Sequence, residues 1–210
     1  MFSHFLAFGK KQRPATAGFS LVELLVSIGI LVLVLSIVVT QQRPFNGSVL
    51  LRSQAYELAL AIREVQQSAI SAINSDTSGT DDFRAVLGIH FDTTSGADQR
   101  YTIFSDNGTN DHAYDSSDTL FGPPGLLDPR FEIRAVQRVD VGAPVDRTSV
   151  SVTFERPNFD AIFESNTGVT QRSGAFHILI GEAGGTGTAC PADIRTVEVT
   201  ATGQISVLEC

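Results

Sequence analysis

Residues 19–39 read FSLVELLVSIGILVLVLSIVV, and their single ionisable side chain is Glu23. At about 1.5 Å per residue these positions make a helix of roughly 31 Å, the thickness of a bilayer hydrocarbon core. The stretch is therefore expected to be a transmembrane helix. Lys10, Lys11 and Arg13 precede it and the first 18 residues hold no Asp or Glu, so the positive-inside rule places the N-terminus in the cytoplasm and the chain after Val39 outside. The small residues Ala15, Ala17 and Gly18 come before the apolar run, whereas a secretory signal is cut behind its apolar core. Cleavage ahead of the run leaves the helix on the mature chain. A plain uncleaved anchor explains the span and the basic flank equally well, but it does not explain Glu23.

A carboxylate inside such a span costs about 2.5–3.5 kcal/mol at the bilayer centre and less near an interface, so it needs a partner. The span offers no cationic side chain. A cut between Gly18 and Phe19 would supply one, because the new α-ammonium lies only about 6 Å along the helix axis from Glu23. An axially staggered neighbour could equally bring its amine level with this carboxylate.

Gly18-Phe19-Ser20-Leu21-Val22-Glu23, with a short basic leader before it and an apolar helix after it, resembles the class III signal of type IV pilins and type II secretion pseudopilins. The resemblance implies cleavage after Gly18 by a membrane prepilin peptidase, N-methylation of Phe19, and a role for Glu23 in registering subunits within a filament. Its implied partners are other pilin or pseudopilin subunits, the prepilin peptidase, the inner-membrane assembly platform, and membrane lipid before assembly. A second resemblance lies in 151–158, 175–181 and 195–207, which look like the β-rich domain of minor pseudopilins of the GspH/FimT type.

The composition agrees with a mature chain in parts. The 210 residues carry 15 Lys+Arg against 23 Asp+Glu, a formal charge of −8, with mean hydropathy +0.10. The only lysines are Lys10 and Lys11. A P-loop NTPase, a Schiff-base enzyme or a serine–lysine hydrolase each needs a lysine that the body of the chain lacks. Two cysteines and four histidines are too few for a four-thiolate zinc site or an iron–sulfur cluster, and no GxSxG motif is present. Without residues 1–18, 12 arginines face 23 acids and the charge falls to −11, a poor surface for nucleic acid in general.

The organisation expected is a leader over 1–18, a transmembrane assembly helix over 19–40, an amphipathic continuation over 41–74 and a β-rich extracytoplasmic head over 75–210. Pro44 and Gly47 predict a kink or melted turn near 41–48. From Leu51 the apolar positions Leu51, Ala55, Leu58, Ile62, Val65, Ala69 and Ala72 recur at spacings of four and three, one face of a helix, with Arg52, Glu57, Arg63, Glu64, Gln66 and Gln67 outside it. Strands are expected at 84–91, 100–104, 130–139, 149–155, 159–163, 175–181, 194–200 and 204–208, with a hairpin turn at 200–204. The fold class is α+β and pilin-like: a long N-terminal helix packed on a mainly antiparallel sheet.

Several side chains are candidates for chemistry. Asp106, Asn110 and Asp111 lie in a loop dense in oxygen ligands and could hold calcium, but EF-hand spacing is missing and a solvated acidic loop is the simpler reading. Arg130, Arg134 and Arg138 recur at every fourth residue and would share one strand face, a basic strip that could contact DNA, although the acid excess around it disfavours nucleic acid as a partner. His90 and His177 fall in apolar strands and read as sheet histidines rather than catalytic bases. Cys190 and Cys210 bracket the last hairpin, and a bridge between them would contribute about 3 kcal/mol in the chain-entropy model. Such a clamp resembles the C-terminal disulfide loop of pilins. No cofactor other than calcium is indicated. The function expected is structural, a subunit of a pilus or pseudopilus and not an enzyme, with a DNA-binding pilin for competence or a non-polymerising membrane-anchored domain as alternatives.

Overall fold

The computed structural model describes residues 18, 20–71, 86–106, 111–155, 157–165, 169–185 and 194–208, with side chains for all of these except 40–46 and 169. The fold is α+β, with a long N-terminal helix and mostly antiparallel sheets. Helix α1 runs Leu21–Ile70. The chain divides into two compact units between Pro44 and Phe45.

In the first unit, Leu21–Val39 has a mean hydropathy of 2.9 and none of it is buried against the rest of the chain. A helix apolar all round has no face to spare for water, which is the signature of a segment made for lipid or for other helices. Contrary to the melted turn expected at 41–48, the helical backbone continues through Pro44 and Gly47. Proline removes one hydrogen-bond donor, and the neighbouring turns of a long helix keep theirs.

The second unit begins with the amphipathic part of α1. Leu51, Ala55, Leu58, Ile62, Val65 and Ala69 are all at most 2% exposed, as their periodicity predicts. Ala72 lies outside the described residues. Gln66 departs from expectation: it is buried, and its Nε2 donates to the carbonyl oxygens of Phe159 at 2.9 Å and Gly203 at 3.0 Å. Arg63 likewise donates to the Ile205 carbonyl at 3.0 Å. The Gln66 bonds tie α1 to loop backbone at Phe159 and Gly203, and the Arg63 bond ties it to the start of the strand Ile205–Leu208.

Among the described residues twelve strands follow. They are β1 (Val86–Asp92), β2 (Arg100–Asp106), β3 (Thr119–Leu120), β4 (Gly125–Leu126), β5 (Phe131–Val139) and β6 (Val145–Arg147), then β7 (Ser149–Phe154), β8 (Ala161–Ser165), β9 (Val169–Gln171), β10 (Ala175–Glu182), β11 (Ile194–Thr200) and β12 (Ile205–Leu208). They form two sheets rather than one. Sheet A has the order β3-β2-β1-β7-β8-β9, with β4 also paired to β2, and sheet B has the order β12-β11-β10-β5-β6. Every pairing is antiparallel. One apolar cluster joins α1 to the inner faces of both sheets through residues such as Ile62, Ile89, Phe154, Phe163, Phe176 and Val197.

The β11–β12 hairpin turns where expected. Thr200 donates its N–H to the Gln204 carbonyl and Gly203 donates to the Thr200 carbonyl, with Gly203 at φ 76°. That left-handed conformation favours glycine.

Candidate functional site

The site that the sequence singles out is the start of α1. The first intrahelical bond runs from the Leu24 N–H to the Ser20 carbonyl at 3.1 Å, which makes Ser20 the N-cap and Glu23 the third helical residue. Ser-x-x-Glu is the spacing of a capping box, a signal that the reading of the intramembrane acid alone passes over. A carboxylate in the first turn also meets the positive end of the helix dipole. Gly18 is exposed, and a Cβ built on it would meet nothing within 4 Å. Packing against the described residues therefore does not demand glycine there. Phe19 lies outside the described residues.

The acidic loop resolves into a strap. Asp106, at the end of β2, is 5% exposed, and its Oδ2 accepts the N–H of His112 at 2.9 Å. Asp111 Oδ1 accepts the N–H of Ala113 at 2.9 Å. Both carboxylates are thus engaged in holding backbone, and Asn110 lies outside the described residues. Among the described residues no three His, Cys, Asp or Glu side chains gather to hold a metal ion. His112 has φ 66°, alone among the described non-glycine residues in being positive, and its Nδ1 lies 3.0 Å from Thr153 Oγ1. Burial pushes the His112 pKa down.

Arg130, Arg134 and Arg138 do not form one strip. The pairing of β5 with β10 shifts register at Leu179/Ile180, passing from Ala135 to Ile133 and leaving Arg134 as the extra residue of a bulge. A bulge breaks the two-residue alternation, so equal spacing no longer means a shared face. Arg138 stands opposite Phe176, on the core-facing side, while Arg134 reaches over Gly181 on the other side and donates to the Glu182 carbonyl at 2.6 Å. Each guanidinium also has a carboxylate: Arg130 grips Asp128 at 2.7 and 2.8 Å, Arg134 lies 3.8 Å from Glu132, and Arg138 lies 2.8 Å from Asp140.

Both strand histidines sit in their sheets, His90 in β1 and His177 in β10. His177 belongs to a row that register alone creates: Asp146, Gln137, His177, Glu198 and Ser206 stand directly opposite one another across β6-β5-β10-β11-β12. Gln137 donates to Asp146 at 2.9 Å, His177 Nε2 lies 2.9 Å from Glu198 Oε2, and Ser206 donates to Glu198 at 3.4 Å. No linear spacing announces this row. Cys190 and Cys210 lie outside the described residues.

A basic leader, an exposed glycine, a first helical turn that carries an acid and an apolar span are together the pattern of an N-terminal processing and methylation signal. Residues 13–39 match the family model of the prokaryotic N-terminal methylation motif. With the apolar helix that carries it, the chain fits a type IV pilin-like protein. The motif implies processing by prepilin peptidase and assembly with other pilin subunits in general, and it is itself a structural, substrate-type motif. The helix is consistent with a single-pass membrane anchor. No curated protein and no solved structure matches the chain.

Proposed function

We propose that this chain is a minor structural subunit of a type IV pilus or type II secretion pseudopilus, cut between Gly18 and Phe19, methylated on Phe19 and assembled through its N-terminal helix. Residues 1–18 are the leader, 19–40 the membrane and assembly helix, 41–74 its amphipathic continuation and 75–210 the head. Before assembly the helix holds the chain in the inner membrane with the N-terminus in the cytoplasm and the head outside. Glu23 then meets the ammonium of a mature N-terminus, its own or a neighbour's, as the helices leave lipid. Cys190 and Cys210 form a disulfide in the oxidising compartment outside that membrane.

The observation that carries this reading is the match of residues 13–39, which include Gly18, Phe19 and Glu23, to the prokaryotic N-terminal methylation motif. The β-rich pattern of 151–158, 175–181 and 195–207 supports a minor subunit of the GspH/FimT type. Nothing favours the DNA-binding alternative, since the arginines on which it rests are each engaged with a carboxylate.

Mass spectrometry of the N-terminus tests the central claim. Cells with active prepilin peptidase should yield a chain that starts at methylated Phe19, and Gly18→Val should leave the leader attached. An intact leader on the unsubstituted chain overturns the reading. For the minor role, quantitative mass spectrometry of sheared filaments should find the chain far below the main subunit, and dominance there would reject it.

A further inference from the structure

The outer face of sheet A carries polar groups that the assembly role does not use, and four of them line a cleft of about 260 Å³. His90 of β1 stands directly opposite Thr102 of β2. Asp92 is the last residue of β1 and Arg100 the first of β2, each two positions from that pair, so strand alternation puts all four side chains on one face. The rest of the lining is mostly apolar. It includes the ring of Tyr114, which packs on His90 with centroids 5.0 Å apart, and the exposed side chains of Leu120 and Pro124.

These polar groups have bonding capacity to spare. Asp92 Oδ1 accepts the Thr94 N–H at 2.7 Å and Arg100 donates to the Gly96 carbonyl, but among the described residues the carboxylate and the guanidinium do not pair with each other. His90 Nδ1 lies 2.9 Å from Ser151 Oγ, and no described residue bonds its Nε2. The Thr102 hydroxyl likewise has no partner among the described residues. Burial holds the His90 pKa down to about 4, so at neutral pH the ring is uncharged and Nε2 donates or accepts according to its tautomer.

This inventory selects one kind of ligand. One carboxylate and one guanidinium leave the cleft without net charge, so an anion would face Asp92 and a cation would face Arg100. A hydroxyl group donates to a carboxylate, accepts from a guanidinium, and suits either tautomer of His90 and either role of Thr102. The cleft is smaller than the about 300–1,000 Å³ of pockets that hold drug-sized ligands, which limits the occupant to about one ring. A pyranose joins these properties: hydroxyls around its rim and an apolar C–H face. We propose that the cleft is a saccharide subsite for one uncharged pyranose unit, with hydroxyls on Asp92, Arg100, Thr102 and His90 and the C–H face on Tyr114 and Leu120.

NMR titration of the full chain, in a detergent whose headgroup is not a sugar, tests this with the methyl pyranosides of glucose, galactose, mannose and N-acetylglucosamine as probes. At least one should give saturable shifts in the amides of His90, Asp92, Thr102 and Tyr114 while those of β10 and β11 stay in place. Asp92→Asn and Arg100→Gln should each weaken that binding about tenfold or more, since each takes the charge from a hydrogen bond to the ligand. No saturable shift with any of the four probes, shifts spread over the whole head, or unchanged affinity in both variants would overturn the proposal. Tighter binding of free leucine would assign the cleft to a zwitterion and overturn it too. Should the variants fail to fold, nuclear Overhauser contacts in the unsubstituted chain decide: contacts between the Tyr114 ring and the sugar C–H protons support the subsite, and their absence rejects it.

Discussion

The rings of Phe163 in β8 and Phe176 in β10 meet with centroids 4.9 Å apart at an interplanar angle of 41°, and both residues are wholly buried. They come from different sheets, so this contact is a seam between sheet A and sheet B. Replacing either by alanine should cost about 3–5 kcal/mol, the range for a phenylalanine removed from a packed core. In urea unfolding of the detergent-solubilised chain, the double variant should fall short of the sum by about 0.5–1.5 kcal/mol, the worth of the aromatic pair itself. Strict additivity would contradict a direct contact.

Gln66 satisfies two carbonyls at once, so Gln66→Ala leaves both the Phe159 and Gly203 oxygens without that donor. A loss of about 1–3 kcal/mol is expected. Gln66→Glu should be worse, since a carboxylate would face two carbonyl oxygens. Gly203→Ala strikes the same knot from the other side: its Cβ would come 1.8 Å from the Phe159 carbonyl oxygen, with φ at 76°. Thermal unfolding of the three variants gives the comparison.

Asp128 lies in a fork made by Arg130. Hydrogen bonds from the Arg130 side chain, then from its backbone N–H, pull the Asp128 pKa down to about 2. A carboxylate depressed in the folded state adds stability that is present above its unfolded value and is lost as pH falls through the folded one, here between about pH 4 and 2. Side-chain carboxyl NMR should show Asp128 titrating near the bottom of that window. In Arg130→Ala, which removes the side-chain bonds but keeps the backbone N–H, its midpoint should rise toward the ordinary range without reaching it; no movement would show that the guanidinium fork is not the main cause.

Gly88 of β1 makes room for the Phe104 ring. A Cβ at that position would lie 2.7 Å from Phe104 ring carbons and 2.7 Å from Thr153 Cγ2. Gly88→Ala should therefore destabilise by about 1–3 kcal/mol through overpacking. Phe104→Leu in the same chain should recover part of that loss, which denaturant midpoints would reveal as a favourable coupling.

How far the fold could be read in advance varied with the range of the interactions involved. The apolar face of α1 was visible because helical periodicity is local: Leu51, Ala55, Leu58 and Ile62 all went where the spacing sent them. The eight expected strands exist with ends displaced by a few residues, since alternation marks their middles better than their limits. What escaped depends on partners far along the chain. Strands β3, β4, β6 and β9 have two or three residues each, too few for alternation to register. The bulge at Arg134 is set by β10, so even spacing misjudged the arginine strip. Gln66 looked like a surface residue until two loop carbonyls needed a donor. At the site, Gly18 and Glu23 stood out in the sequence, whereas the anchoring of the strap through Asp106, His112 and Thr153 requires knowing which strands are neighbours.

Helix α1 has a mechanical consequence. Its residues from Leu51 to Ala69 are not a stalk beneath the head but part of the head's own core, interlocked with both sheets. A load applied along the helix axis in this region would act on that core in shear, across many apolar contacts and the Arg63 and Gln66 bonds together, rather than unzipping them one at a time. The helix could not slip by a turn without dislodging Leu58 and Ile62 from the centre of the fold. The head would then resist tension as a unit, yielding only when the whole of it unfolds.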